Sequence, residues 1–276
     1  MNAPQRWLWL TTRRAAAVLF SFRSIVALPL LLLAIPGAAW GLSDPRTTLP
    51  AEIPLDTPMH VLFVTSLFVL LTATLTSVLY AWDGVSRERA SGVLEVRLGR
   101  AMSRRAQTFV LLGGHLWATV TPVILLSIVA VIVVQQRTGS WPLAGDVLMF
   151  LLATALVVVW YTLIALLASS FAQEQGTAIA FGVGVWFLFT MLWLLVTSVL
   201  AGLAGIEAGG AEDPGWIRFE AFLDLFSPNG VYHHLLELRL PDINRGVHPS
   251  FVVLAALAWT ALPTWLLMRR MERLVP

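Results

Sequence analysis

An all-α polytopic membrane protein, with six transmembrane helices, an N-terminal interfacial helix and outer cap helices, is predicted by three features of the sequence. Of its 276 residues, 58% are hydrophobic and only 12% charged, and the mean hydropathy is +0.78, outside the range of soluble globular domains. Six apolar runs are long enough to cross a hydrocarbon core of about 30 Å, which takes about 20 helical residues. The arginines divide unevenly between alternate loops, as the positive-inside rule requires. Two absences narrow the chemistry: there is no cysteine and no lysine, all 18 basic residues being arginine. Without cysteine there is no disulfide framework, thiolate metal site or thiol nucleophile. Without lysine the chain cannot by itself hydrolyse ATP through a P-loop. The pI near 9.6 comes from arginines segregated by membrane side, so it gives no reason to expect nucleic acid as a partner.

The whole chain, 1–276, reads as one transmembrane domain. Residues 1–24 mix Trp7, Trp9, Arg13, Arg14 and Phe20, a composition that favours a helix lying in the headgroup plane over a plain positive flank. The first span, Ile25–Gly41, is the shortest and holds Pro29 and Pro36, so it is the least secure in straightness. Ala39-Trp40-Gly41 faintly resembles a signal cleavage site, but the charged region before it is too long, and no cleavage is expected. His60–Trp82, Thr108–Val134, Val147–Ser170, Thr177–Leu203 and Ser250–Met268 follow as spans two to six. Two loops exceed a turn, 83–107 and 204–249. In the second, Trp216, Phe219, Leu223 and Phe226 recur at amphipathic helical spacing. Ser227-Pro228 then supplies an N-cap and first-turn proline for another helix reaching Pro241. With the N-terminus inside, thirteen arginines are cytoplasmic and five external, while eleven acidic residues are external and five cytoplasmic. Both termini are therefore expected in the cytoplasm of a multi-pass inner-membrane protein.

The loop 83–107 contains SRERASGVLEVRLGRAMSRR, with six arginines and two glutamates in twenty residues. Positive-inside topology needs charge but not a pattern. Here Gly92 and Gly99 are natural helix stops and Ser103 a natural N-cap. Short helices carrying Val93, Leu94, Val96 and Leu98 beside charge make a surface able to enter a groove on a partner. RERxxGxLExxL followed by SR, formed here by Arg87, Glu88, Arg89, Gly92, Leu94, Glu95, Leu98, Ser103 and Arg104, resembles the cytoplasmic signature of ABC transporter permeases of the second exporter type. That resemblance implies coupling helices that fit a cleft in a separate ATPase, two copies of which would bind ATP and magnesium while this chain holds no cofactor. It also implies a second permease copy, most simply a homodimer, in contact with membrane lipid. Gly184-Val185-Trp186-Phe187, Ser227-Pro228-Asn229-Gly230-Val231-Tyr232, and Leu257-Ala258-Trp259 with Ala261-Leu262-Pro263 look like the NosY-like branch, which is associated with nitrous oxide reductase maturation. Two departures stand out: Ala101-Met102 where the family often has a proline before SR, and Gly113-Gly114 where it often has a lysine.

In the resembled family the second and fifth spans line the cargo path. Thr65, Thr72 and Thr76 share a face of the second span here, and Trp186, Thr190, Trp193 and Thr197 form a stripe on the fifth. Helix packing and a cargo wall are both consistent with such stripes, because hydroxyls bond back to their own helix at little cost. Ala178/Gly182 and Ala180/Gly184 give small steps where another helix can approach. No span carries an aspartate, glutamate or arginine near its middle, which argues against proton coupling, and His115 reads as an interfacial residue. On the outer loop, Tyr232, His233, His234 and Glu237 are expected to meet water or a periplasmic accessory protein. His233 and Glu237 lie on one helix face, but two ligands do not close a metal site, and no metal is expected.

Overall fold

The structure, a computed structural model, describes residues 3–49, 55–99, 102–209 and 213–274. Every regular element among them is helical. In chain order they are α1 (Ala3–Leu19), α2 (Phe22–Ala34), α3 (Pro36–Leu42), α4 (Pro58–Ala81), α5 (Ser86–Ala90), α6 (Val93–Leu98), α7 (Arg104–Thr138), α8 (Ala144–Phe171), α9 (Gln175–Phe187), a π turn (Leu188–Leu192), α10 (Trp193–Leu203), α11 (Pro214–Asp224), α12 (Pro228–Glu237) and α13 (Pro249–Arg273). Six of the resulting helical stretches are long and apolar enough to span a membrane. The first is α2 with α3, broken at Ile35, where Pro36 cannot donate a backbone hydrogen bond and takes the first position of a new helix.

Local chemistry sets the helix starts. The side chains of Thr57, Ser103, Asp213, Ser227 and His248 accept backbone N–H groups of the first turns of α4, α7, α11, α12 and α13. Proline follows the cap in four of these, where its missing N–H would have gone unused anyway. At the other end of α7, Gly139 takes φ 73°, the left-handed cap that closes the helix. Helix α12 stops at Glu237, four residues short of the expected Pro241, because Leu238–Asp242 turns back through short-range backbone bonds.

The bundle is organised around α8, which packs against α4, α7, α12 and α13 and contributes the fully buried Phe150, Trp160 and Tyr161. The fifth span is peripheral by comparison. Only 11% of its most apolar window is buried inside the subunit, against 78% for the second span, so most of its surface is left for lipid or another chain. Helix α1 lies along the start of α7 and its approach explains Gly113-Gly114. A Cβ on Gly114 would sit 2.8 Å from Arg14 Cβ, and one on Gly113 3.0 Å from Thr11 Cγ2. His115, near the start of α7, is buried within the subunit, its Nδ1 2.9 Å from the Leu111 carbonyl.

Candidate functional site

Residues 83–99 form the element singled out by sequence, at the end of the bundle opposite α11 and α12. Helices α5 and α6 are separated by Gly92, whose φ of 70° favours glycine. The element is pinned to α8: Ser169 Oγ accepts from the backbone N–H groups of Val85 (3.1 Å) and Ser86 (3.0 Å). Gly84 lies so close to α8 that a Cβ there would meet Leu166 Cδ2 at 2.6 Å. Leu94 is 4% exposed and joins the main core, an anchor contributing about 2 kcal/mol. Its expected role as a partner-facing residue is therefore corrected: the α6 residues turned outward are Val93, Glu95 and Val96, with the valines 51% and 67% exposed. Arg87 also faces out, while the Leu98 side chain lies outside the described residues.

Much of the arginine crowding holds the helices together. Arg89 donates to the carbonyls of Ala172 (2.5 Å) and Ser170 (3.1 Å), capping the C-terminus of α8. Arg104 donates to those of Glu272 and Leu274, both at 2.6 Å, capping α13. Each helix end carries about half a negative charge on unsatisfied carbonyls, which a guanidinium neutralises. Glu88 pairs with Arg14 of α1 at 2.8 Å, and Arg14 also donates to the Gly84 carbonyl. Ser103 is the N-cap of α7, as expected.

The threonines of the second span point into the subunit. Thr65, Thr72 and Thr76 are all buried, and Thr65 and Thr72 donate to the carbonyls of Val61 and Phe68 in their own helix. The fifth-span stripe is divided by the π turn, which inserts a residue and rotates everything beyond it by about 100°. Before the turn, Trp186 Nε1 donates to Thr74 Oγ1 at 2.9 Å. After it, Trp193 Nε1 donates to Asp224 Oδ1 at 2.9 Å, and Thr197 is buried against the carbonyl of Trp193. Thr190 and Trp193 do meet in a cavity of about 370 Å³, shared with Leu70 of α4 and with Asp224, Asn229 and His233 from the cap. Thr65, Thr72, Thr76, Trp186 and Thr197 do not line it. Thr74 was missed by sequence, and Asn229 entered it through the Ser227–Tyr232 resemblance alone; Asn229 Nδ2 donates to the Phe189 carbonyl inside the π turn (3.0 Å), and Tyr161 donates to Asn229 Oδ1 (2.7 Å). Ala178 and Gly182 pack inside the subunit, whereas Gly184 has open space around it.

The polar residues of α12 also turn inward. Tyr232, His234 and Glu237 are 0%, 2% and 5% exposed, so the expectation that they meet water or another protein is corrected. The ring nitrogens of His234 lie 3.0 Å from Glu237 Oε2 and 2.9 Å from the Ala221 carbonyl, so the imidazole ties α12 to α11. Arg245 Nη1 bonds Asp224 Oδ2 at 2.7 Å, and its Nη2 lies 2.9 Å from Glu237 Oε1. Burial alone would raise the Glu237 carboxyl, but the hydrogen bond from His234 and the charge of Arg245 outweigh it and hold the group below its ordinary value. Glu220, farther from Arg245 at 3.9 Å, is left with burial dominant and is pushed up. Burial likewise pushes the His233 imidazole down to about 4, so it is neutral at the cavity wall near neutral pH. Among the described residues no group of three or more His, Asp or Glu side chains is placed to hold a metal ion.

Gly230 makes this packing possible. A Cβ there would lie 2.6 Å from Asp224 Cα and closer still to that residue's Cβ and carbonyl oxygen, so backbone would have to move. Gly230→Ala is expected to destabilise the fold by about 3 kcal/mol, read as a lower unfolding temperature in detergent. An unchanged unfolding temperature would mean that α11 and α12 do not pack this closely.

Comparison with curated proteins returns no matching relative. The family model described as ABC-2 family transporter protein matches residues 16–273, taking in the anchored α5–α6 element, all six spans and the cap. With six membrane-crossing helices and a match over nearly its whole length, the chain belongs to the ABC-2 family transporter proteins, as a membrane permease component of a transporter with an ATPase partner.

Proposed function

We propose that this chain is the permease subunit of an ATP-driven exporter of the inner membrane, with both termini cytoplasmic, acting as a homodimer with two ATPase copies. The observation that carries the reading is the α5–α6 element. Ser169 and Arg89 attach it to α8 and Leu94 to the core, while Val93, Glu95, Val96 and Arg87 are exposed, the two valines beside a cavity of about 300 Å³ shared with α1 and Val110. A rigid lever with an apolar, charged tip is what transmission of ATPase closure to the spans needs. Movement of α4 against the fifth span would open or close the cavity at Thr190 and Trp193, the cargo region of this proposal. The Ser227–Tyr232 element supports placing the chain in the NosY-like branch, where the resemblance implies a small sulfur-containing or metal-maturation cargo. Drug or lipid efflux is the alternative within the same class.

A second reading is favoured by one feature. The cap is joined to spans four and five by Tyr161–Asn229–Phe189 and by Trp193–Asp224. Those bonds would carry span movement to the cap, so an ATPase stroke could remodel a periplasmic partner with no cargo passing. Sealed vesicles containing the complex separate the two. ATP-dependent movement of a solute across the bilayer is expected for the exporter. Nucleotide-dependent structural change at the cap without solute movement would replace it with the mechanical reading. Surface labelling of the α5–α6 loop from the exterior of intact cells would overturn the proposed orientation.

A further inference from the structure

Two features along the seam between α8 and α13 lie apart from the coupling tip. At the arginine-rich end, Arg89, Arg270 and Arg273 line a cavity of about 490 Å³ completed by Phe171, Gln173 and Leu274. Among the described residues none of these guanidiniums is ion-paired; Glu272 is taken by Arg105 and Glu88 by Arg14. The ends of α8 and α13 together offer only about one negative charge against three positive ones. About two positive charges remain in one cavity, and an anion is the physical remedy.

The two inner arginines are held in place before any ligand arrives. Arg89 is fixed by the Ala172 and Ser170 carbonyls. Arg270 is fixed by its contact to the Ser170 carbonyl (3.4 Å) and by stacking 4.8 Å from the centre of the Phe171 ring. These bonds leave both terminal nitrogens of Arg270, and further N–H groups of Arg89, without a partner among the described residues. Such preset donors match the oxygens of a phosphate.

The second feature is an apolar groove of about 580 Å³ along the same two helices, running from Phe251, where Phe222, Leu225 and Phe226 of the cap wall it, to Leu167 and Leu266. Leu167 precedes Phe171 by four residues, and Leu266 precedes Arg270 by four. The groove therefore ends about 6 Å, one helical turn, from the basic cavity. From Phe251 to Leu266 the helix rises about 22 Å, enough to take an acyl chain within one leaflet of a core about 30 Å thick. Beside the cavity, Arg269 stacks 4.4 Å from Trp265, a pairing typical of the membrane interface.

We propose that the α8–α13 seam is a binding site for an anionic phospholipid, with its phosphate among Arg89, Arg270 and Arg273 and one acyl chain in the adjoining groove. A free phosphate or an acidic protein segment would satisfy the charge but leave the groove empty, whereas a lipid fills both. Because Arg89 lies on α5, the bound headgroup ties the coupling element to the ends of α8 and α13. The proposal depends neither on the cargo nor on membrane sidedness.

The full-length permease, purified in neutral detergent, is to be titrated with phosphatidylglycerol, phosphatidylcholine or glycerol 3-phosphate, with thermal unfolding and native mass spectrometry as readouts. Phosphatidylglycerol is expected to remain bound and to raise the unfolding temperature, with little effect from the other two. Arg270→Gln combined with Arg273→Gln is expected to weaken that binding about thirtyfold, the loss associated with two surface guanidiniums. Leu262→Trp, which fills the groove and leaves the charges untouched, is expected to weaken it separately; it and Arg273→Gln alone keep the test open should the double variant fail to fold. Equal stabilisation by glycerol 3-phosphate would reduce the site to a free-anion site. Equal binding of phosphatidylcholine, or unchanged binding by the variants, would reduce it to ordinary annular lipid. Loss of lipid on adding the ATPase partner would assign the arginines to that partner. Each of these three results overturns the proposal.

Discussion

Replacing Val93 and Val96 together by aspartate is expected to abolish ATPase association and nucleotide-dependent activity while leaving the permease folded. Both side chains are more than half exposed on α6, so aspartate meets water in the free subunit and stability should change by no more than about 0.5 kcal/mol. In a complex the same positions would enter a groove on the partner. Two buried valines contribute about 1.5 kcal/mol each at least, and two unpaired carboxylates buried in their place cost several more. A loss of about 5 kcal/mol weakens association several thousandfold, enough to eliminate co-purification. Leu94→Ala should behave differently. It removes an anchor that is 4% exposed, so about 2–4 kcal/mol of stability goes first and coupling fails as a consequence. Arg87→Glu, at a side chain 70% exposed, should mainly alter the salt dependence of association. Unimpaired co-purification and ATP turnover by the double aspartate variant would remove α6 as the docking tip.

The contrast between Leu94 and Val93 shows where sequence stops being informative. Span order, the two cap helices and the N-caps at Ser103 and Ser227 were legible because each depends on hydropathy or capping chemistry within one short window. The RERxxGxLExxL pattern was legible as a family signature, and the family match agrees with it. Which side of a six-residue helix faces inward depends on neighbours far along the chain, so Leu94 and Val93 look alike in sequence. The same distance hid the capping of α8 by Arg89 and of α13 by Arg104, whose acceptors lie 81 to 83 and 168 to 170 residues away. The π turn has no glycine or proline to announce it. Leu188–Leu192 reads as ordinary helix, and a stripe drawn across it joins residues that the structure separates. Spacing placed Glu237 on one face with His233, whereas the structure pairs it with His234, and it gave no hint of Arg245, which reaches Glu237 from a loop after the helix.

Arg245→Met is expected to be the most destabilising single change at the cap. Its guanidinium, 20% exposed, joins Asp224 of α11 to Glu237 of α12, whose side chains are 13% and 6% exposed. The hydrophobic replacement keeps much of the packing and removes the charge, leaving two poorly solvated carboxylates with, among the described residues, only His234 and Trp193 as nearby side-chain donors. Breaking one side of a buried pair costs about 3–5 kcal/mol, whereas disrupting the more exposed Arg137–Asp44 pair by Arg137→Gln should cost at most about 1 kcal/mol. Thermal unfolding of both variants in detergent makes the comparison. Acidification then identifies charge as the cause. Because the Glu237 carboxyl is held below its ordinary value in the folded protein, its stabilisation is present above the unfolded-state pKa and disappears as pH falls through the lower folded-state value. The variant lacks part of that depression, so the gap between it and the parent protein should narrow on acidification. Asp224 also accepts the Trp193 indole, so hydrogen exchange should rise in α10, just beyond the π turn, as well as in α11 and α12. A gap that stayed constant with pH would assign the loss to packing, and unchanged exchange in α10 would mean that the cap and the fifth span are not mechanically joined.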